Sequence, residues 1–151
     1  MKTLILGIGN LLMGDEGVGI HAANYIEQQF QLPDDVDALD GGSGGLHLLD
    51  YFHQYPRVIL IDATMDGQQV GTIAQLTPKF SSDYPPTLTA HDIGLKDVLD
   101  VLFLMDNQPE IILFTITIED MSTMATEMTP AVAAAVPAVA KAVMQYINDT
   151  K

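Results

Sequence analysis

The sequence predicts an α/β domain: a three-layer sandwich in which a mostly parallel, twisted sheet of about five strands has helices on both faces. Short apolar runs of strand length alternate along the chain with segments whose apolar residues recur at helical spacing. The 151 residues are enough for one domain with one core, and no internal repeat or long linker divides them. We therefore expect a single domain over residues 1–151.

The first half of the chain contains four predicted strands and two predicted helices. "KTLILGI" is apolar throughout, which is typical of a strand covered on both faces. "GVGIHAANYIEQQF" has a helical apolar stripe, "VDALD" predicts a short second strand, and "GLHLLDYF" predicts a short helix. "RVILIDA" predicts a third buried strand, rich in β-branched residues. "GTIAQLTP" predicts a strand nearer an edge, because a proline closes it.

The second half adds a helix, a strand and a long last helix. "LTAHDIGLKDVLDVLFLM" carries a helical stripe, and Thr89 and Asp92 have the spacing of a capping box at its start. "EIILFTITIED" is the next predicted strand. In "MTPAVAAAVPAVAKAVMQYI" we expect Thr129 to be the N-cap, with Pro130 at the first helical position. Pro137 predicts either a kink or a helix that begins late.

The composition is strongly acidic. Twenty Asp and Glu against 6 Lys and Arg give a formal net charge of −14, which repels nucleic acid and favours cations or a partner with a basic patch. The chain has no cysteine, which excludes disulfides, thiolate metal sites and a thiol nucleophile. No apolar run approaches the ~18 residues of a membrane span, and the N-terminus lacks a signal-peptide cleavage site. We expect no membrane contact and a cytoplasmic location.

Carboxylates follow three of the predicted strands. Asp15 and Glu16 lie in the glycine-rich loop after the first strand, Asp40 ends the second, and Asp62 ends the third. Ligands of such sheets bind beyond the carboxyl ends of the strands, so these acids are expected at one rim, contributing little to the core.

His91 lies near the start of a later helix, whose dipole keeps its imidazole neutral. Two carboxylates and an imidazole suit Ni²⁺, Zn²⁺, Mn²⁺ or Fe²⁺. Solvated acids and a surface histidine are the alternative.

The stretch "DGGSGG" raises a second possibility. Ser43 matches the G-x-S-x-G nucleophile motif, and Asp62 and His91 follow in the chain order of a serine hydrolase. The alternative is a glycine turn that lets the backbone approach a substrate peptide, with the hydroxyl holding the turn. "GIGN" does not complete a dinucleotide fingerprint, because Leu12 occupies the place of the third glycine.

Four stretches of the chain resemble, in order and spacing, the motifs of one family: "LILGIGNLLMGDEGVG", "LDGGSGG", "VILIDA" and "TAHDIGL". The family is the hydrogenase maturation proteases, endopeptidases that process the large subunit of nickel–iron hydrogenases. The resemblance covers essentially the whole chain. The fold that it implies is the same three-layer α/β sandwich.

The resemblance implies a metal-recognising site. The glutamate of the family's G-D-E-G motif falls on Glu16, the aspartate that ends the third strand on Asp62, and the histidine that opens the later helix on His91. In the family these residues bind nickel, presented by the substrate, with zinc or cadmium as substitutes in vitro. We expect Asp40, Glu16 and Asp62 to act in catalysis, in the manner of an aspartyl protease.

The resemblance also implies a substrate loop and an activity. The family's aspartate-glycine-glycine loop falls on Asp40, Gly41 and Gly42, followed by Ser43, where the family commonly has threonine. The expected protein is a monomeric endopeptidase that removes the C-terminal extension of a nickel–iron hydrogenase large-subunit precursor after nickel insertion. A serine hydrolase and a non-enzymatic, acidic metal-binding or chaperone-like module remain as alternatives.

Overall fold

Five strands form one sheet: β1 (Thr3–Gly7), β2 (Val36–Asp40), β3 (Arg57–Thr64), β4 (Ile73–Leu76) and β5 (Glu110–Thr117). The computed structural model describes residues 1–43, 45, 47–78, 92–104, 108–119 and 124–151, without the side chains of 92–97. The order across the sheet is β2-β1-β3-β5-β4. Strands β1, β2, β3 and β5 are parallel, and β4 runs antiparallel to β5 at one edge. The fold class predicted from the sequence, including the edge position of β4, is confirmed.

Helices cover both faces of this sheet. They are α1 (Val18–Gln29), α2 (Leu48–Gln54), α3 (Asp92–Phe103) and α4 (Pro130–Asp149). One core contains apolar side chains of α1 and α4, and a second core on the opposite face contains those of α2 and α3. A 3-10 turn, Gly14–Gly17, leads directly into α1.

The central strand β3 shows how the two cores divide. Ile59 and Ile61 belong to the α1/α4 core, whereas Val58 and Leu60 belong to the α2/α3 core. Because successive side chains of a strand point to opposite faces, Asp62 lies on the face covered by α2 and α3. Helix α3 begins at Asp92, directly after His91 in the chain, and its last turns pack in this same core.

Helix α4 begins at Pro130 and continues through Pro137 without interruption. The expectation of a late start is therefore wrong. Pro137 is exposed, so the carbonyl of Ala133, which loses its helical partner there, lies on the outer side of the helix where water can satisfy it. The capping pair predicted for α3 includes Thr89, which lies outside the described residues.

Helix α4 is also, among the described residues, the one helix long and apolar enough to cross a membrane by length and composition. Its 18-residue window has a mean hydropathy of 1.3, and 44% of that window is buried inside the domain. Val132, Val139 and Val143 are fully buried in the α1/α4 core. Packing against α1 and β5 therefore accounts for the apolar face of this helix.

Candidate functional site

The 3-10 turn that carries Glu16 contacts β3, the strand that carries Asp62. The chain leaves β1 beside the end of β3, where the N–H of Ile8 donates to the carbonyl of Ile61 at 2.9 Å. The structure thus places Glu16 and Asp62 on two touching elements at the carboxyl edge of the central strands. This is where the alternation of strands and helices predicts a ligand site.

Gly19 makes this proximity possible. A Cβ atom at Gly19 would overlap the carbonyl oxygens of Ile61 and Ile8, so only glycine lets the first turn of α1 lie on the strand ends. The carbonyl of Glu16 is packed as tightly against Gly9. These backbone contacts hold the turn containing Glu16 against the sheet.

Both carboxylate side chains of this pair are fully buried, with 0% of each residue exposed. One oxygen of Asp62, Oδ1, accepts a hydrogen bond from the N–H of Ala63 at 2.8 Å. Burying a carboxylate carries a large desolvation penalty, whereas an apolar side chain at the same place would carry none. The alternative that Glu16 and Asp62 are solvated acids is therefore excluded. Their burial is what a specialised charged site requires.

The third expected metal ligand, His91, lies outside the described residues, so the ligand set Glu16, Asp62 and His91 stays a prediction. Within the described ranges, no group of three histidine or acidic side chains is arranged to hold a metal ion. Two carboxylates on touching elements nonetheless supply oxygen donors that fit a divalent cation.

The turn after β2 is tied to the end of β1. Its first residue, Asp40, accepts a hydrogen bond from the N–H of Gly42 at Oδ1, 2.7 Å away. The N–H of Gly41 donates to the carbonyl of Gly7 at 2.8 Å, and the N–H of Gly9 donates to that of Gly42 at 2.9 Å. The aspartate-glycine-glycine turn therefore has one defined position beside the Glu16 loop.

A shallow cleft of about 320 Å³ opens between these two loops. Asp40 and Ser43 are exposed at its side, and Leu12, which also lines it, is 59% exposed. An open cleft lined by glycine backbone, an exposed carboxylate and apolar side chains suits an extended peptide. The structure thus places the expected substrate-binding residues Asp40, Gly42 and Ser43 along one groove, with Gly41 in the same turn.

Comparison with known proteins identifies the family. A family model described as hydrogenase maturation protease matches residues 20–146 of this chain. The chain belongs to the hydrogenase maturation protease family.

Relatives in this family include the HupD hydrogenase expression/formation protein of Rhizobium leguminosarum, which is 34% identical over 113 residues. That alignment covers 72% of this chain and 55% of HupD. The hydrogenase 2 maturation protease of Escherichia coli is 35% identical over 104 residues, covering 68% of this chain and 63% of that protein. The matched region thus spans a little over half the length of these curated relatives.

A solved member of the family has the same fold along the whole chain. The structure of the hydrogenase maturating endopeptidase HybD from E. coli superposes with a TM-score of 0.89 at 29% identity. The match covers 99% of this chain and 94% of that one. The family fold therefore accounts for essentially every element described above.

The serine-hydrolase alternative places His91 between Ser43 and Asp62. Ser43 follows β2, an edge strand, whereas Asp62 lies on β3, and β1 runs between the two strands. Neighbouring strands are ~4.8 Å apart, so the strands carrying these residues are separated by roughly 10 Å, a gap that the histidine of a triad would have to bridge. His91 lies outside the described residues, so this alternative stays a prediction.

Sequence reasoning missed the partner of Asp15. Its carboxylate oxygens Oδ1 and Oδ2 accept hydrogen bonds from the N–H and hydroxyl of Thr129, at 2.6 and 2.8 Å. Thr129 is the expected N-cap of α4, but its side chain makes no capping bond to that helix. The two residues are 114 positions apart, and no spacing rule connects them.

The other described histidines have no assigned chemistry. His21 lies on α1, and burial lowers the pKa of its imidazole, which favours the neutral form. His47 directly precedes α2 and His53 lies in its last turn, and both are exposed.

Proposed function

We propose that this protein is an endopeptidase that removes the C-terminal extension of a nickel–iron hydrogenase large-subunit precursor once nickel has been inserted. Membership of the maturation protease family supports the reaction class. The observation that carries the proposal is the pair of fully buried carboxylates, Glu16 and Asp62, on touching elements at the carboxyl edge of the sheet.

Nickel enters this reaction as part of the substrate. Glu16, Asp62 and His91 bind the metal that the precursor presents; their carboxylate and imidazole donors suit Ni²⁺, with zinc or cadmium as substitutes in vitro. Glu16 and Asp62 are shielded from solvent in the free protein.

The exposed carboxylate at the cleft supplies the base for hydrolysis. Asp40 takes a proton from a water molecule whose oxygen attacks the scissile carbonyl carbon. Asp40 then gives that proton to the leaving amine as the carbon–nitrogen bond breaks. The turn Asp40–Gly41–Gly42 with Ser43 holds the substrate backbone beside this carboxylate. Glu16 and Asp62 fix the metal end of the precursor, so that the peptide is positioned for cutting.

The same proposal covers the location, the oligomeric state and the partners of the protein. We expect a cytoplasmic monomer that binds neither membranes nor nucleic acid. A net charge of −14 opposes phosphate backbones and favours a basic surface on the precursor.

Intact-mass measurement of a precursor large subunit tests this function directly. The wild-type protein should shorten a nickel-loaded precursor and leave a nickel-free precursor intact. Asp62→Asn should abolish shortening, and Asp37→Asn, outside the site, should not. Binding without any change in mass would favour a chaperone-like module. Complete loss of activity in Ser43→Ala, together with labelling by a serine reagent, would favour a serine hydrolase.

A further inference from the structure

Four hydrogen bonds join the loop that carries Glu16 to the segment that enters α4. The N–H of Gly14 donates to the carbonyl of Ala125 at 2.7 Å, and the N–H of Ala125 donates to the carbonyl of Leu12 at 3.0 Å. The other two bonds are those that Thr129 donates to Asp15. Residues from two distant parts of the chain therefore form one connected unit at the site.

Within the 3-10 turn Gly14–Gly17, Asp15 and Glu16 are the only residues with side chains beyond hydrogen, because both ends are glycine. A four-residue turn of this kind has poor hydrogen-bond geometry and little rigidity of its own. The N–H of Glu16 donates to the carbonyl of Met13 in the preceding loop at 3.2 Å, the long end of the usual range. Contacts outside the turn therefore help to position Glu16.

Asp15 makes such contacts. It is 7% exposed, and its two oxygens accept from both donors of Thr129, the residue directly before the 20-residue helix α4. A carboxylate at the start of a helix is also stabilised by the helix dipole. Helix α4 packs along the sheet through its buried face, so Asp15 connects the turn to a rigid part of the core.

We infer that Asp15 is a positioning residue for Glu16: by holding Thr129 it fixes the turn against α4 and so sets the place of the Glu16 carboxylate. This inference rests on the proposed function, in which Glu16 binds the metal of the precursor. Asp15 itself touches neither substrate nor metal in this arrangement. Its contribution is geometric and should be reproduced by any side chain that makes the same two contacts.

Three variants test the inference by precursor cleavage. Asp15→Ala removes both contacts and should lower kcat about 10- to 100-fold, because a displaced Glu16 no longer fixes the metal end of the precursor for cutting. Thr129→Val removes only the hydroxyl and should lower kcat about 3- to 10-fold. Asp15→Asn should keep kcat within about 3-fold of the wild type, since its amide can accept from the N–H of Thr129 and donate to its hydroxyl.

A matched control separates this effect from general destabilisation. Asp37 accepts a 2.6 Å hydrogen bond from the hydroxyl of Tyr55 away from the turn, and Asp37→Ala should leave kcat unchanged. An Asp15→Ala protein with wild-type kcat would overturn the inference. An Asp15→Asn protein as inactive as Asp15→Ala would also overturn it, because charge rather than position would then be required.

Hydrogen exchange of the free protein tests the anchoring without any activity. In Asp15→Ala and Thr129→Val, the amides of Gly14 and Glu16 should exchange at least about 10-fold faster than in the wild type, with the amides of β3 unchanged. Unchanged exchange at Gly14 and Glu16 would refute the anchoring even in a protein that cuts the precursor. Failure of the wild type to cut the precursor, with accelerated exchange in the variants, would count against the proposed function alone.

Discussion

Gly19, in the first turn of α1, lies directly against the carbonyl oxygen of Ile61, the residue before Asp62. This backbone contact is why a turn and a strand far apart in the chain share one site. Glu16 lies three residues before Gly19, so any displacement of α1 away from the strand ends also moves Glu16 away from Asp62.

Replacing Gly19 by alanine should therefore damage both stability and function. The added methyl meets backbone carbonyls, which cannot rotate aside, and α1 must shift; we expect a loss of about 3 kcal/mol in the free energy of unfolding. Urea unfolding measures this loss, and the intact-mass assay measures precursor cleavage. Asn24→Ala, at a half-exposed position of the same helix, should change stability by less than about 0.5 kcal/mol. Wild-type stability in Gly19→Ala would contradict the close packing.

Amide replacements of the buried carboxylates should separate stability from function. Glu16→Gln and Asp62→Asn keep the shape of each side chain and remove a charge that is expensive to bury. We expect the free energy of unfolding to stay the same or to rise by up to about 2 kcal/mol, while precursor cleavage is lost. Urea unfolding and intact mass report the two effects. Loss of more than about 3 kcal/mol in both variants would show instead that the charges hold the fold together.

The two glycines of the substrate turn should respond differently to alanine. A Cβ atom at Gly41 would lie 2.7 to 3.0 Å from side-chain atoms of Ile8 and Leu6, so Gly41→Ala should cost about 1–3 kcal/mol through overpacking. Gly42 has open space around it but a φ of +63°, so Gly42→Ala should cost about 1–2 kcal/mol through backbone strain.

Asparagine distinguishes these two causes, because it tolerates the left-handed conformation but is larger than alanine. Gly42→Asn should be more stable than Gly42→Ala in urea unfolding, and Gly41→Asn should be less stable than Gly41→Ala. The opposite order at either position would disprove the assigned cause.

The free energy of unfolding should depend on pH through Tyr55, which bonds to Asp37 on β2. Its hydroxyl donates to Oδ2 of Asp37 at 2.6 Å, and this bond, with burial and the charge of Asp37, raises the pKa of Tyr55 from 10.0 to about 12. Because the pKa is raised in the folded protein, this stabilisation is complete below pH 10 and is lost as the pH rises through about 12. Urea unfolding between pH 9 and pH 12, which spans this range, should show a steeper loss in the wild type than in Tyr55→Phe. Parallel curves of unfolding free energy against pH for the two proteins would contradict this role of Tyr55.

Much of the fold was predictable because its signals are local. Strand-length apolar runs such as that from Val58 to Ile61, and the helical stripe that follows Gly17, report directly on which segments are buried and with which period. Alternation of the two then predicts parallel pairing and the edge at which carboxylates gather. The assignment of Asp40, Glu16 and Asp62 to one edge of the sheet needed nothing more.

The α/β class, the order of the elements and the edge of the sheet that carries the acids follow from the amino-acid pattern alone. Family motifs added His91, which lies outside the described residues. The full burial of Glu16 and Asp62 and the bonds between Asp15 and Thr129 are visible only in the folded domain. Burial of a charge and pairing across 114 residues depend on which distant elements pack together. Periodicity along the chain shows which face of each helix or strand is apolar. It does not show which other element packs against that face.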